Sequence, residues 1–204
     1  EYTLHEETAP DGYNTVSDFT FKVGEDNKVE LIGATTDGEV EVTEDGTIIV
    51  TDSRKTGRFE LQKTIKGAIT EEERNGALTF EIKTADGRYL DEKGDLHVDK
   101  YSISLDKFTH NEETDTYTLV FEEIGIGDYT VTETTKTFEG KEVKVSYKLN
   151  EDGTVSGANG KTADGVTVIE GKTTNLAFEN DYKTITKVTV SKQDAVGEEI
   201  EGAK

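Results

Sequence analysis

Lys63, Glu133 and Asn180 are the residues of this sequence whose types could together do chemistry. Residues two apart in a strand share a face. In Phe59, Leu61, Lys63 and Ile65 that rule puts Lys63 on an apolar face, turned inward. Tyr129, Val131 and Glu133 do the same for Glu133, and Leu176, Phe178, Asn180 and Tyr182 for Asn180. A charge taken into an apolar interior tends to be neutralised, so a buried Lys becomes an amine and a buried Glu an acid. An amine held against a carboxamide can attack its carbon. The neighbouring acid can hydrogen-bond the carbonyl, stabilise the developing oxyanion and carry protons to the departing ammonia. The product is an amide between Lys63 and Asn180. The same residues also suit plainer roles: Lys63 snorkelling at a sheet edge, Glu133 ending a strand and Asn180 capping a turn. Alternation alone leaves both readings open.

The elements that must position these residues read as short alternating strands between Gly, Asp and Asn turns. Strands are predicted at Tyr2–Thr8, Asp18–Val23, Thr47–Thr51, Arg58–Ile65, Ala77–Lys83, Thr116–Glu122, Tyr129–Thr135, Val143–Leu149, Val166–Glu170, Thr174–Asp181 and Lys187–Lys192. Turn signals recur at Asp11-Gly12, Asp37-Gly38, Asp45-Gly46, Asp86-Gly87, Asp152-Gly153 and Asp164-Gly165. That spacing predicts an all-β sandwich rather than βαβ units. One short helix is expected near Thr70–Asn75, where Glu71, Glu72 and Glu73 follow a capping Thr. The sole proline, Pro10, falls in a loop.

Composition narrows the function classes. The 204 residues carry a net charge of -21, which argues against nucleic acid and anionic membranes as partners. No apolar run reaches transmembrane length, and no signal peptide begins the chain, so any secretion signal is expected to lie outside it or to have been removed. Cysteine is absent, which excludes disulfides, thiolate metal sites and Cys nucleophiles. A small extracellular β-domain usually needs a staple, and here a disulfide cannot supply it. The three histidines, His5, His97 and His110, are too dispersed for a metal site. No cofactor motif, phosphate loop or Ser nucleophile motif occurs, so neither a metal, a cofactor nor a turnover enzyme is expected.

At the three reactive positions the sequence resembles the Cna B-type, immunoglobulin-like domains of Gram-positive adhesins and pilins. Phe59-Glu60-Leu61-Gln62-Lys63 is similar to that family's first strand with its reactive Lys. Tyr129-Thr130-Val131-Thr132-Glu133-Thr134 is similar to its Glu box, and Phe178-Glu179-Asn180-Asp181-Tyr182 to its last strand with the reactive Asn. The ends of the chain resemble the same family. The segment from Tyr2 through Glu6 to Ala9-Pro10-Asp11-Gly12-Tyr13 is similar to a Glu box and its following loop. Ile48-Ile49-Val50-Thr51-Asp52 is similar to a last strand with Asp for Asn, and Val188-Thr189-Val190-Ser191-Lys192-Gln193-Asp194, with Gly197 and Gly202-Ala203 beyond, to a first strand. The resemblance implies Glu133 and Glu6 as catalytic acids, and Lys63, Asn180, Lys192 and Asp52 as isopeptide-forming residues.

The order departs from the family's. A first strand stands at the C-terminus, after the complete unit. Residues 1–56 are therefore read as the latter part of one domain, 57–186 as a complete one with Lys/Glu/Asn chemistry, and 187–204 as the start of a following, swapped or permuted one. A window cut from a tandem array explains this most simply; an engineered split or permuted ligation module is the alternative. Because the family's first and last strands run parallel, Lys192 is expected far from its own Asp52, so that it would meet Asp52 of another molecule head to tail. The expected partners are neighbouring repeats and such copies. The expected role is structural: a stalk at the extracellular, Gram-positive cell surface, cell wall-anchored in the full-length protein and resistant to extension and proteolysis. A host-ligand-binding adhesin domain is the second reading, with the stretches Thr84–Lys100, Phe108–Thr116 and Val155–Gly165 as its loops.

Overall fold

The structure is a computed structural model that describes residues 1–25, 28–33, 39–74, 76–151, 154–188, 190, 192–193 and 195–198. The N-terminal part contains β1 (Tyr2–Leu4), β2 (Phe19–Val23) and β3 (Val29–Ile32) in one antiparallel sheet. A hairpin of β4 (Val40–Val42) and β5 (Ile48–Val50) follows. Its apolar cluster is small: Val16, Phe19 and Val40 are buried, with Phe21, Leu31 and Ile48 packed against them. Tyr2, Ile49 and Val50 remain exposed.

The remaining strands build a two-layered sandwich. In chain order they are β6 (Thr56–Gly67), β7 (Leu78–Thr84), β8 (Tyr89–Leu90), β9 (Leu96–His97), β10 (Ile103–Ser104) and β11 (Thr109–Asn111). Then come β12 (Thr116–Gly125), β13 (Gly127–Thr135), β14 (Lys141–Glu151), β15 (Thr154–Asn159), β16 (Thr162–Val168) and β17 (Thr173–Thr184). One sheet has the order β16-β13-β7-β8-β9, with β10 also paired to β7; the other has the order β11-β12-β6-β17-β14-β15. The expected all-β sandwich is the fold observed.

Side-chain alternation explains the layering. Along β6 every second residue from Gly57 to Ile65 is buried, and β17 repeats the pattern from Thr174 to Tyr182. Phe59, Leu61, Phe80, Val131, Leu176 and Phe178 meet at the centre with at most 1% exposure. Burying each such side chain contributes roughly 1.5–3 kcal/mol, which drives the two inner faces together. The strands β6 and β17 lie side by side and parallel, the one parallel pairing among the described strands. Two parallel strands cannot be joined by a tight hairpin; here the whole of the remaining sandwich connects them.

Two local devices close the sandwich at the β6 entrance and in β16. A Cβ on Gly57 would lie 2.4 Å from the Ile169 carbonyl oxygen, so only glycine lets β6 start this close to the chain that precedes β17. Asp164-Gly165, expected to be a hairpin turn, instead forms a bulge inside β16. The pairing with β13 slips between Tyr129 and Val131, and Gly165 takes a φ of +68°.

Other expectations are corrected or refined. The stretches Thr84–Lys100 and Phe108–Thr116 are mostly loop, interrupted by the short strands β8 and β9 and by β11, whereas Val155–Gly165 contains most of β15 and the start of β16 and is paired strand. The first strand stops at Leu4, short of Glu6. Lys187, Val188, Val190 and Lys192 are not in a strand, and Thr189 and Ser191 lie outside the described residues. Outside them too are Asp194, Gly202-Ala203 and the predicted turns Asp37-Gly38 and Asp152-Gly153. The short helix does form, as α1 (Glu71–Arg74). Thr70 Oγ1 accepts from the Glu73 amide at 3.2 Å, while Glu73 Oε2 accepts from the Thr70 amide at 2.8 Å, a reciprocal cap.

Candidate functional site

Lys63 comes from β6 and Asn180 from the adjacent parallel β17, on the same inner face. The register sets Phe178 beside Lys63 and Asn180 beside Ile65, so Lys63 and Asn180 are diagonal neighbours two residues apart. A long side chain reaches across that diagonal. Glu133 arrives from the opposite sheet, on β13, where it pairs with Phe80 of β7. The three residues thus meet in the middle of the sandwich, each at most 1% exposed.

One carboxylate binds both partners. Lys63 Nζ donates to Glu133 Oε2 at 2.6 Å, and Asn180 Nδ2 donates to Glu133 Oε1 at 2.6 Å. Thr135 Oγ1 also donates to Oε1, at 2.5 Å, which fixes the carboxylate from the same strand. Asn180 Oδ1 is buried and receives no hydrogen bond from the described residues. An unsatisfied buried acceptor costs about 1–3 kcal/mol.

The walls of the site are aromatic. The Lys63 ammonium nitrogen lies 5.9 Å from the centre of the Phe178 ring. Phe178 in turn packs on Phe80, with centroids 5.4 Å apart. Burial among these rings pushes the Lys63 amine down from 10.5 to about 8, although the charge and hydrogen bond of Glu133 pull the other way. Burial, and then the Glu133 charge, push the Tyr182 phenol up. Tyr182 stands two residues beyond Asn180 on the same face and is itself buried.

The predicted residues at the chain's ends are only partly assembled. Asp52 and Glu6 are neighbours. Loss of solvent, then the Glu6 charge and a hydrogen bond with Glu6, push the Asp52 carboxyl up. Glu6 Oε2 also accepts from the Val16 amide at 2.8 Å. Lys192 is exposed, and among the described residues no ion pair joins it to either carboxylate. The histidines stay apart: His5 pairs with Asp18, His97 with Asp91 and His110 with Asp115. Among the described residues no group of three His, Asp or Glu converges, and no helix is long and apolar enough to cross a membrane.

Sequence reasoning found the triad but missed Thr135 and the aromatic walls. Thr135 follows Glu133 by two residues, so alternation places it on the same face; that signal was available. The Phe80–Phe178 contact joins two sheets, and nothing in the spacing of those residues foretells it.

No family model and no curated protein matches the sequence. Solved structures do resemble the chain. A single-residue mutant of the major pilin from Streptococcus pyogenes aligns with a TM-score of 0.43 and 14% identity, over 86% of this chain and 66% of that one. The minor pilin of Streptococcus agalactiae gives a TM-score of 0.38 and 14% identity over 91% and 66%. A pilus-presented adhesin gives 0.33 and 22% over 64% and 29%. The chain therefore spans just under two thirds of the length of those pilins.

Proposed function

We propose that residues 57–186 form a stalk domain that welds its first strand to its last by a spontaneous amide bond between Lys63 and Asn180. The observation that carries this reading is Glu133 holding the amine on one oxygen and the carboxamide on the other, at 2.6 Å each, in a dry core. A proton moves from Lys63 Nζ to Glu133, which removes two buried charges at once. Half a turn of the Asn180 side chain then offers Oδ1, the unsatisfied acceptor, to the acid. The neutral amine adds to Asn180 Cγ, and the acid stabilises the oxyanion. The proton the amine sheds goes through Glu133 to Nδ2, the Cγ–Nδ2 bond breaks, and ammonia leaves. One C–N bond forms and one breaks, nothing is oxidised, and the Glu133 carboxylate returns when its proton passes to the ammonia, which departs as ammonium.

Trypsin digestion and tandem mass spectrometry test the site. A branched peptide joining the Lys63 and Asn180 segments is expected, and Glu133→Ala should yield the two as separate linear peptides. Separate peptides from the parent chain would remove this reading.

The same chemistry is proposed for the incomplete N-terminal part, between molecules. Asp52 and Glu6 stand as an acid pair whose carboxyl is already pushed toward its neutral form, without an amine. Lys192 of a second copy is the amine that would join Asp52 head to tail, with loss of water. A ladder of bands on a denaturing gel is expected, and Asp52→Ala or Lys192→Ala should each reduce it to monomer. Extracellular display at a Gram-positive surface, with neighbouring repeats in line, is the setting in which a welded stalk is useful. A cytoplasmic rod would gain less, since it bears no flow.

A further inference from the structure

The chain between the N-terminal part and the sandwich is gripped from both sides. On the N-terminal side, Tyr13 and Arg54 pair as an antiparallel bridge. The Asn14 amide donates to the Ser53 carbonyl at 2.8 Å and the Lys55 amide to the Gly12 carbonyl at 2.9 Å. Across the same few residues, the Ile126 amide donates to the Lys55 carbonyl at 3.1 Å and the Gly171 amide to the Thr56 carbonyl at 3.3 Å. Consecutive residues are thus bonded to one body and then to the other, with no free linker between them.

Arg54 adds a side-chain contact to this backbone clasp. A Cβ on Gly125 would lie 3.1, 3.3 and 3.4 Å from Arg54 Cζ, Nη1 and Nε, so the guanidinium fills the space beside Gly125 that a side chain would take. That backbone is itself fixed, because the buried Tyr129 hydroxyl donates to the Gly125 carbonyl at 2.6 Å. Tyr13, beside Arg54 in the bridge, lies within electrostatic reach of Arg88 on the turn between β7 and β8. The backbone clasp and the Arg54 side chain therefore both act at the joint.

We infer that this joint is a rigid interlock, with Arg54 as its keystone, that fixes the angle between the N-terminal part and the sandwich. The clasp recurs at the far end of the sandwich. The Ile185 amide donates to the Gly140 carbonyl at 2.8 Å, as Lys55 does to Gly12. Gly12 and Gly140 both take positive φ after a turn, at +85° and +69°. In that second clasp Thr184 stands opposite Lys141 where Arg54 stands opposite Tyr13. The second site thus has the backbone grip with Thr184 in the place of the arginine. None of this depends on the covalent bond.

Because the chain has no cysteine, spin labels can be placed cleanly. Labels at Lys22→Cys and Lys107→Cys, both exposed, report across the joint by double electron–electron resonance. A pair at Lys107→Cys and Lys183→Cys reports within the sandwich. The parent chain should give one narrow distance across the joint. Arg54→Ala should broaden it, and Gly125→Ala, which inserts a methyl under the guanidinium, should broaden it too. Arg54→Lys should fail to rescue, because an ammonium does not fill the space the planar guanidinium takes beside Gly125. The within-sandwich distance should stay narrow in all three, which separates a loosened joint from an unfolded domain. A broad distribution in the parent, or a narrow one that survives Arg54→Ala and Gly125→Ala, overturns the inference.

Discussion

Lys63, Glu133 and Asn180 are each at most 1% exposed and joined through one carboxylate. Lys63 illustrates the balance. Burial lowers it to about 8 while Glu133 opposes the fall, so near neutral pH a usable fraction of the amine is uncharged. The sign of the pH effect on stability follows in a variant that cannot react. Asn180→Ala keeps the burial and the Glu133 partner, so its folded amine is expected to hold the value of about 8 found here against 10.5 unfolded. Between those values the unfolded chain binds more protons, so stability rises with pH. Below about 8 both states are protonated and the burial penalty is felt in full. Denaturant unfolding of Asn180→Ala should therefore gain about 3 kcal/mol from pH 8 to 10.5 relative to the parent chain. In the parent, Lys63 converted to an amide would not titrate. Equal slopes for the two would mean that Lys63 is free in both. The aromatic wall has its own cost: Phe178→Ala should destabilise the sandwich by about 3–5 kcal/mol, measured by the same unfolding, because it leaves a cavity beside the amine.

At the scale of the elements, the parallel pair β6 and β17 matters most, because it sets two reactive side chains on one face two residues apart. Its entrance tolerates no side chain. Gly57→Ala should lower the thermal midpoint, by about 1–3 kcal/mol of overpacking strain, since a methyl would press on the Ile169 carbonyl. This layer also shows what could be read beforehand. The strands carrying Lys63, Glu133 and Asn180 were legible because each alternates cleanly over several residues against a packed facing sheet. The two- and three-residue strands β8, β9 and β11 were not, since so few residues carry no periodicity. Asp164-Gly165 misled for a physical reason: the same Gly conformation serves a turn and a bulge, and only the partner strand distinguishes them. At the chain's ends Glu6 and Asp52 did prove to be neighbours, but on loops just past β1 and β5. Their positions depend on tertiary contacts that alternation does not encode.

For the whole molecule, the proposed bond would change the path that tension takes. Load entering along β6 would reach Lys63, cross to Asn180 and leave through the end of β17, so the intervening sandwich would be bypassed. Closing a loop of ~100 residues also restricts the unfolded chain by about 4–5 kcal/mol. Glu133→Ala, which stops the reaction, should lose at least that much stability in thermal unfolding, together with the cost of leaving Lys63 buried without its partner. In single-molecule pulling from its two ends, the parent sandwich should release little length, and Glu133→Ala should release the full stretch between Lys63 and Asn180. The gripped joint before β6 extends the same logic, because it passes load to β6 without a slack segment.

The central claim is most directly tested by the intact mass of the purified chain under denaturing conditions. A mass one ammonia below the sum of its residues is predicted, returning to the full sum in Lys63→Ala once the substitution itself is allowed for. A parent chain that weighs its full sum would contradict the account.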